Sequence, residues 1–315
     1  MLARVANNLF WMGRYIERSE HVARYLNVNY FSSLDAPNEF SQSRDFVMRS
    51  MKFMVGDPIY DNSVQLEEKD VLYDIALNFE KTYSIVNSIK NARENANGAR
   101  DLISTELYEA INKLYHFVLK YPVESYKNNG LYDFTVNVAE STAVLRGKIR
   151  GTLYHDEVYA IIMLGINLER ATQIIRIINS KHNDTLIAKA EYGDMTDNSY
   201  EWTTLLKCTE CYDMMRRYYR KTPTAINTLE FLILNRFCPR SVMNCLNQVS
   251  NHISILNTSR YPDKDSTAFL IGKIRSEYEY KLIDEINGDL SEFIENILNN
   301  LVRISQKVEK EYFNY

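Results

Sequence analysis

The sequence predicts an all-α fold, a duplicated helical bundle with two pseudo-equivalent halves around paired Glu-Arg helices. Three observations carry this. Segments 9–18 and 161–170 share one pattern at an offset of 152 residues, with Gly13/Gly165, Glu17/Glu169, Arg18/Arg170 and Arg24/Arg176 coinciding. Only 10 glycines and 6 prolines occur in 315 residues, a composition that suits long helices and short connections. No segment alternates as a strand does between hairpin turns. The offset is close to half the chain length, so the halves divide as 1–151 and 152–315, packed as one globular unit.

Apolar periodicity places helices, in order, over 1–29, 43–55, 69–98, 104–121, 132–149, 155–181, 199–220, 223–236, 239–256, 265–281 and 282–312. In the first, Leu9, Met12, Ile16, Ala23 and Leu26 oppose a sector holding Gly13, Glu17, Glu20 and Arg24. Residues 30–42 follow as a polar connection containing Pro37. Pro37, Pro58, Pro122, Pro223, Pro239 and Pro262 all fall where periodicity breaks, which is where a helical chain tolerates them. Ser104 is a natural cap for the fourth helix. Ile162, Ile166, Ile174, Ile175, Ile177 and Ile178 leave the 155–181 helix almost no polar face, and residues 184–198 read as a second polar connection. In the last helix Leu290, Phe293, Ile294, Ile297, Leu298, Leu301 and Ile304 keep the 3-and-4 spacing of a one-sided stripe.

A helix that is apolar nearly all round is a buried helix. Its carboxylates and guanidinium groups must then be paired, because an isolated buried charge costs several kcal/mol or more. Adjacent Glu and Arg on one helix point about 100° apart and do not readily satisfy each other. Duplicated helices related by a pseudo-twofold axis make reciprocal contacts instead. The expected partners are Glu17 with Arg170 or Arg176, and Glu169 with Arg18 or Arg24, around a centre bordered by Arg93 and Arg100. Glu17 and Glu169 are also the candidates for acid–base catalysis, since burial raises a carboxylate pKa and a neighbouring Arg lowers it. The plainer reading is a structural ion-pair network.

Other chemistries find little support. A net charge of −4 gives no reason to expect a nucleic-acid partner. No stretch reaches about 18 uninterrupted apolar residues and the N-terminus lacks a signal-peptide layout, so neither a membrane span nor export is expected and the expected location is cytoplasmic. None of the five histidines has a Glu three residues before it, so no di-metal centre of the helical-bundle type is expected. No phosphate-binding glycine loop occurs, no nucleophile elbow is present, and no cofactor is expected. Cys208 and Cys211 form a Cys-x-x-Cys inside a helical run, and with Cys238 and Cys245 they read as buried reduced thiols. The cations of Arg146-Gly147-Lys148-Ile149-Arg150 suit a phosphate or carboxylate, or more plainly a solvated helix end, with Thr152 as a cap for the next helix. Arg93, Asn97 and Arg100 share a face in a charge-rich helix that reads as solvated.

The run Asn8-Leu9-Phe10-Trp11-Met12-Gly13-Arg14-Tyr15-Ile16-Glu17-Arg18-Ser19-Glu20 resembles the opening of the alpha-E family, an all-helical domain with a Glu-Arg motif. The resemblance continues through Ala92-Arg93-Glu94-Asn95-Ala96, the stretch from Ile103 to Asn112, Leu164-Gly165 with Leu168-Glu169-Arg170-Ala171, Trp202, and Pro239-Arg240-Ser241-Val242. One departure is Ile166, where the second motif of the family usually has the Arg that Arg14 supplies in the first. The resemblance implies a pathway and not a reaction. Members are typically encoded beside, or fused to, ATP-grasp ligase-like and transglutaminase-like proteins, sometimes with a proteasome-like peptidase, and are proposed to serve peptide or amide-bond synthesis and modification. The leading expectation is a helical partner or co-catalytic subunit of an ATP-grasp-type amide ligase. Its polar centre would hold an amino-acid or peptide group through Arg14, Glu17, Arg18, Arg24, Arg93, Glu94, Asn95, Arg100, Glu169, Arg170 and Arg176. Arg suits a carboxylate by bidentate contact, and Glu suits an ammonium or amide. The alternatives are a stand-alone enzyme using a buried Glu, and a purely structural adaptor.

Overall fold

The computed structural model describes residues 1–36, 43–61, 63–192, 199–257 and 262–313. Among these residues every regular element is helical and no strand occurs. The longest helices are α1 (Ala3–Leu34) and α7 (Glu157–Tyr192). Between them lie α2 (Arg44–Val55), α3 (Glu68–Ala76), α4 (Ile85–Gly98), α5 (Thr105–Lys120) and α6 (Leu131–Thr152). After them come α8 (Ser199–Cys208), α9 (Tyr212–Tyr219), α10 (Ala225–Ile233), α11 (Val242–Leu256), α12 (Thr267–Glu279), α13 (Ile283–Asn287) and α14 (Leu290–Tyr312).

The core is organised around α1 and α7, which pack on each other more extensively than any other pair. They run parallel: Met1 faces Glu157 at one end, and Tyr25 bonds Ser180 at the other. Helices α4 and α6 cover α1, while α11, α2 and α14 cover α7. The segment Glu157–Ala188 is long and apolar enough to cross a membrane by length and composition, but 89% of its apolar window is buried inside the protein. Its neighbours within the bundle cover its apolar surface.

Gly13 and Gly165 set the spacing of the central pair. A Cβ on Gly13 would lie 2.5 Å from the Ile162 carbonyl oxygen, and a Cβ on Gly165 would collide with the Phe10 carbonyl. Phe10 and Ile162 are themselves 152 residues apart, so the two contacts are one contact read from either helix. Glycine is required here for close backbone approach and not for an unusual dihedral angle.

Several helix limits differ from the sequence reading, each for a local reason. The expected 69–98 helix is two, because Asn78 bonds Asp74 and the Glu80 N–H, and Ser84 accepts the Asn87 N–H as the cap of α4. The expected 199–220 helix breaks at Glu210, which adopts φ 58° while the Cys211 N–H closes back on Leu206. The last helix restarts at Asp289, whose side chain accepts the Glu292 N–H. Both expected connections are partly helical: α1 runs to Leu34 and α7 continues to Tyr192. Asp184, expected in a polar loop, is buried and accepts a hydrogen bond from Ser50. The remainders of those connections, at 37–42 with Pro37 and at 193–198, lie outside the described residues. Thr152 does not cap α7; it ends α6 and bonds Ser104.

Gly→Ala in an isolated helix gains about 1 kcal/mol. Here the new methyl meets a backbone carbonyl, and overpacking of that kind costs about 1–3 kcal/mol. Gly13→Ala and Gly165→Ala are therefore each expected to be destabilising in urea denaturation, against the propensity scale. A gain in midpoint for either would show that the helices have room to separate.

Candidate functional site

Glu17 and Glu169 lie at the α1–α7 contact, both fully buried. Arg170 grips Glu17 with two bonds, Nε to Oε1 at 2.5 Å and Nη2 to Oε2 at 3.0 Å. Arg18 grips Glu169 the same way, Nε to Oε1 at 2.7 Å and Nη2 to Oε2 at 3.1 Å. These are the reciprocal pairs, since 17 corresponds to 169 and 18 to 170. The reciprocity extends one turn further. His21 lies 3.2 Å from Glu17 Oε1, and Gln173, its counterpart at the same offset, donates to Glu169 Oε1 at 2.8 Å.

The two carboxylates are nevertheless not equivalent. Glu169 also receives Arg14 Nε at 2.8 Å, whereas the counterpart of Arg14 is Ile166, which packs against Gly13. Arg14 lies over the Trp11 ring at 4.6 Å and donates through Nη1 to Ser305 on α14. Arg18 lies over Tyr15.

Burial by itself would raise both carboxyl pKa values, but the ion pairs outweigh it. Arg170 and His21 hold Glu17 well below the ordinary range, and Arg18 and Arg14 do the same for Glu169. Burial lowers the pKa of His21 despite its bond to Glu17, so the ring is neutral at neutral pH. Neither glutamate is poised to exchange a proton near neutrality.

Glu20, one turn after Glu17 on α1, anchors a second cluster. Its Oε1 accepts Arg24 Nη2 at 2.7 Å and Arg240 Nη2 at 2.8 Å, and Arg146 pairs with its Oε2. Glu210, half-exposed on its left-handed backbone, closes the cluster by bridging Arg24 and Arg240. Burial and the nearby Arg240 and Arg170 push the Arg146 guanidinium down to about 10. A third buried group lies further along α1, where Tyr25 bonds Ser50 at 2.9 Å and Ser180 at 2.8 Å. Ser50 donates to Asp184, whose carboxylate lies 3.4 Å from the Lys181 ammonium. Burial outweighs Lys181 and pushes Asp184 up to about 6.

A family model described as a predicted alpha-helical domain with a conserved ER motif, Alpha-E, matches residues 1–313. The chain belongs to the Alpha-E family. No curated protein and no solved structure matches it.

In this Alpha-E chain the structure gathers Arg14, Glu17, Arg18, Glu169 and Arg170, with Arg24 and Arg176 alongside. Arg24 does not reach Glu169; Glu20 sits one turn before it and takes its charge. Arg176 does not reach Glu17; it stands two turns beyond Glu169 on the same face of α7, where burial outweighs the Glu169 charge and lowers its guanidinium pKa. Arg93, Glu94, Asn95 and Arg100 do not border the centre. Arg93 bonds Asn112 and covers Tyr115, Glu94 is exposed beside Lys90, Asn95 bonds the Asn91 carbonyl, and Arg100 bonds Ile103 and Thr105. Arg93 ties α4 to α5 and Arg100 braces the turn between them, while Glu94 and Asn95 interact within α4.

Sequence reasoning missed the roles of His21, Gln173, Glu210 and Arg146. His21 and Gln173 were available at i+4 from each Glu and at the repeat offset. Arg146 turns inward to Glu20 where a solvated helix end was expected. The Cys-x-x-Cys is not a pair: Cys211 Sγ lies 3.7 Å from Cys238 Sγ, and the four described cysteines are free and buried. Among the described residues no group of three metal-ligating side chains occurs.

Removing one partner of a buried pair orphans the other charge, at a cost of about 3–5 kcal/mol. Glu17→Ala and Glu169→Ala are each expected to lose that much in chemical denaturation, and melting close to wild type would place these groups in solvent. The pH dependence has two parts. Glu17 and Glu169, lowered on folding, contribute stability that is present above their unfolded-state value near 4.5 and lost as pH falls below it. Asp184, raised on folding, works oppositely, and its contribution is lost as pH rises from 3.8 through about 6. Asp184→Asn should flatten the melting temperature between those pH values while leaving the acid limb intact; an unchanged profile would assign the slope to other groups.

Proposed function

We propose that this chain is a helical partner, or co-catalytic subunit, of an ATP-grasp-type amide or peptide ligase. Its Glu-Arg centre holds an amino-acid or peptide group during peptide synthesis or modification in the cytoplasm. Family membership supports the ligase association. The observation that carries the non-catalytic part is the state of the two motif glutamates, which are sealed, saturated with hydrogen bonds and held far below the range of a working general base. That supports partner or holder over a stand-alone enzyme using Glu17 or Glu169. A transglutaminase-like protein is the second proposed partner. The reciprocal contacts of α1 and α7 support the reading of 1–151 and 152–315 as duplicated halves.

The arrangement also favours ligand holding over a purely structural adaptor. Glu169 is paired with both Arg14 and Arg18, while Arg176, two turns along the same helix, has no acid partner among the described residues. A network built for stability alone gains nothing from a partly buried guanidinium left without an acid.

The test is co-purification with the neighbouring ATP-grasp protein, followed by mass spectrometry of its ATP-dependent products with and without this chain. The expected result is a stable complex and an amide product formed faster, or only, when the chain is present. No association and an unchanged product profile would overturn the reading.

A further inference from the structure

The two copies of the motif helix differ at one decisive place. In the first copy Arg24 has a carboxylate one turn earlier, Glu20, at 2.7 Å, and a second, Glu210, at 3.2 Å. The counterpart of Arg24 is Arg176, and the counterpart of Glu20 is Thr172, whose hydroxyl bonds back to the Leu168 carbonyl. Arg176 makes no hydrogen bond or ion pair among the described residues, and it is only partly buried. The charged groups that act on it are Glu169, Arg18 and Arg14.

Glu169 has little left to offer Arg176. Its Oε1 accepts from Arg18 and Gln173, and its Oε2 from Arg14 and Arg18. The next carboxylate, Glu309, is one step removed, accepting at 3.3 Å from the Ser305 hydroxyl that Arg14 touches. Arg14 and Arg18 each lie over an aromatic ring, Trp11 and Tyr15, with guanidinium edges left over. Arg14 and Arg18 thus saturate Glu169, and Arg176, two turns further along the same face of α7, is left without an acid at the place where the first copy supplies its own.

We propose that a carboxylate from outside the chain docks against Arg176, Arg18 and Arg14, taking the position that Glu20 fills in the first copy. The proposal rests on the reading of the Glu-Arg centre as a holder of amino-acid or peptide groups, and it names the group and the side. A carboxylate is favoured because the equivalent arginine is served by carboxylates in the same molecule, and because bidentate contact with guanidinium suits it. Its source is a free amino acid or the C-terminal end of a peptide.

Titration calorimetry of the full chain at fixed ionic strength tests this with four probes: L-alanine, trialanine, N-acetyl-alanine and N-acetyl-alanine amide. The free acids should bind and the amide should bind at least tenfold more weakly. The tighter of L-alanine and trialanine identifies the source. Arg176→Gln should weaken acid binding about tenfold, the loss expected for one charge-assisted hydrogen bond. Thr172→Glu supplies the missing acid from within, so it should raise the melting temperature without ligand and abolish acid binding. Equal affinity for acid and amide, no binding by the wild type, or unchanged binding in Arg176→Gln would overturn the proposal. Inorganic phosphate binding as tightly as the acids would overturn the carboxylate assignment. These measurements need no ligase, so their failure leaves the association with the ATP-grasp protein standing, and a failed co-purification leaves the carboxylate site standing.

Discussion

Two fully buried carboxylates, one on each central helix, take guanidinium groups delivered from outside their own helix, and that requirement fixes the middle of this molecule. Glu17 takes Arg170 and Glu169 takes Arg18, so each helix supplies the acid for one pair and the base for the other. Sliding α7 by one turn along α1, about 5.4 Å, would break both pairs at once. The ion pairs therefore set the register, while the glycine contact at Gly13 and Gly165 sets the separation. Hydrophobic burial supplies the bulk of the stability, and it does so without specifying register. Ion pairs of this kind add little net energy over well-packed apolar side chains, but misalignment strips the buried Glu17, Glu169 and Arg170 of these partners.

Symmetry between the copies holds at the glycines, at the Glu-Arg pairs and at the His21/Gln173 position, and then fails in three places. Ile166 stands opposite Arg14, Thr172 opposite Glu20, and the outer carboxylate Glu210 belongs to the first cluster alone. The left-handed backbone at Glu210 is a conformation that costs an ordinary residue roughly 1–2 kcal/mol, and the ion pairs to Arg24 and Arg240 accompany it. In the first cluster Arg24 is thus served by two acids of the chain's own, while its counterpart Arg176 has none among the described residues.

The helical class, the buried character of α1 and α7, the close glycine approach and the reciprocal pairing were all legible in the sequence. Each follows from the 152-residue offset together with the rule that buried charges need partners. Helix breaks were less legible. Asn78, Ser84 and Asp289 end or start helices through single side-chain bonds to backbone N–H groups, which periodicity does not register. Charges whose partners are distant in sequence were not legible either. Arg146 reaches Glu20 from α6 and Arg240 from the turn before α11, and no local spacing announces that. The cluster of Arg93, Glu94, Asn95 and Arg100 was assigned to the centre because it is charged and belongs to the family pattern. Its side chains find their partners within α4, on α5 and in the turn between them.

The central claim is that each motif Glu is coupled to the other helix and not to the Arg beside it. Double-mutant cycles in chemical denaturation measure that directly, with Glu17→Gln combined with Arg170→Gln in one cycle and with Arg18→Gln in another. The account predicts a coupling of at least about 1.5 kcal/mol between Glu17 and Arg170, within the range for residues in direct contact, and a near-zero coupling between Glu17 and Arg18. A larger coupling along the chain than across the helices would contradict it.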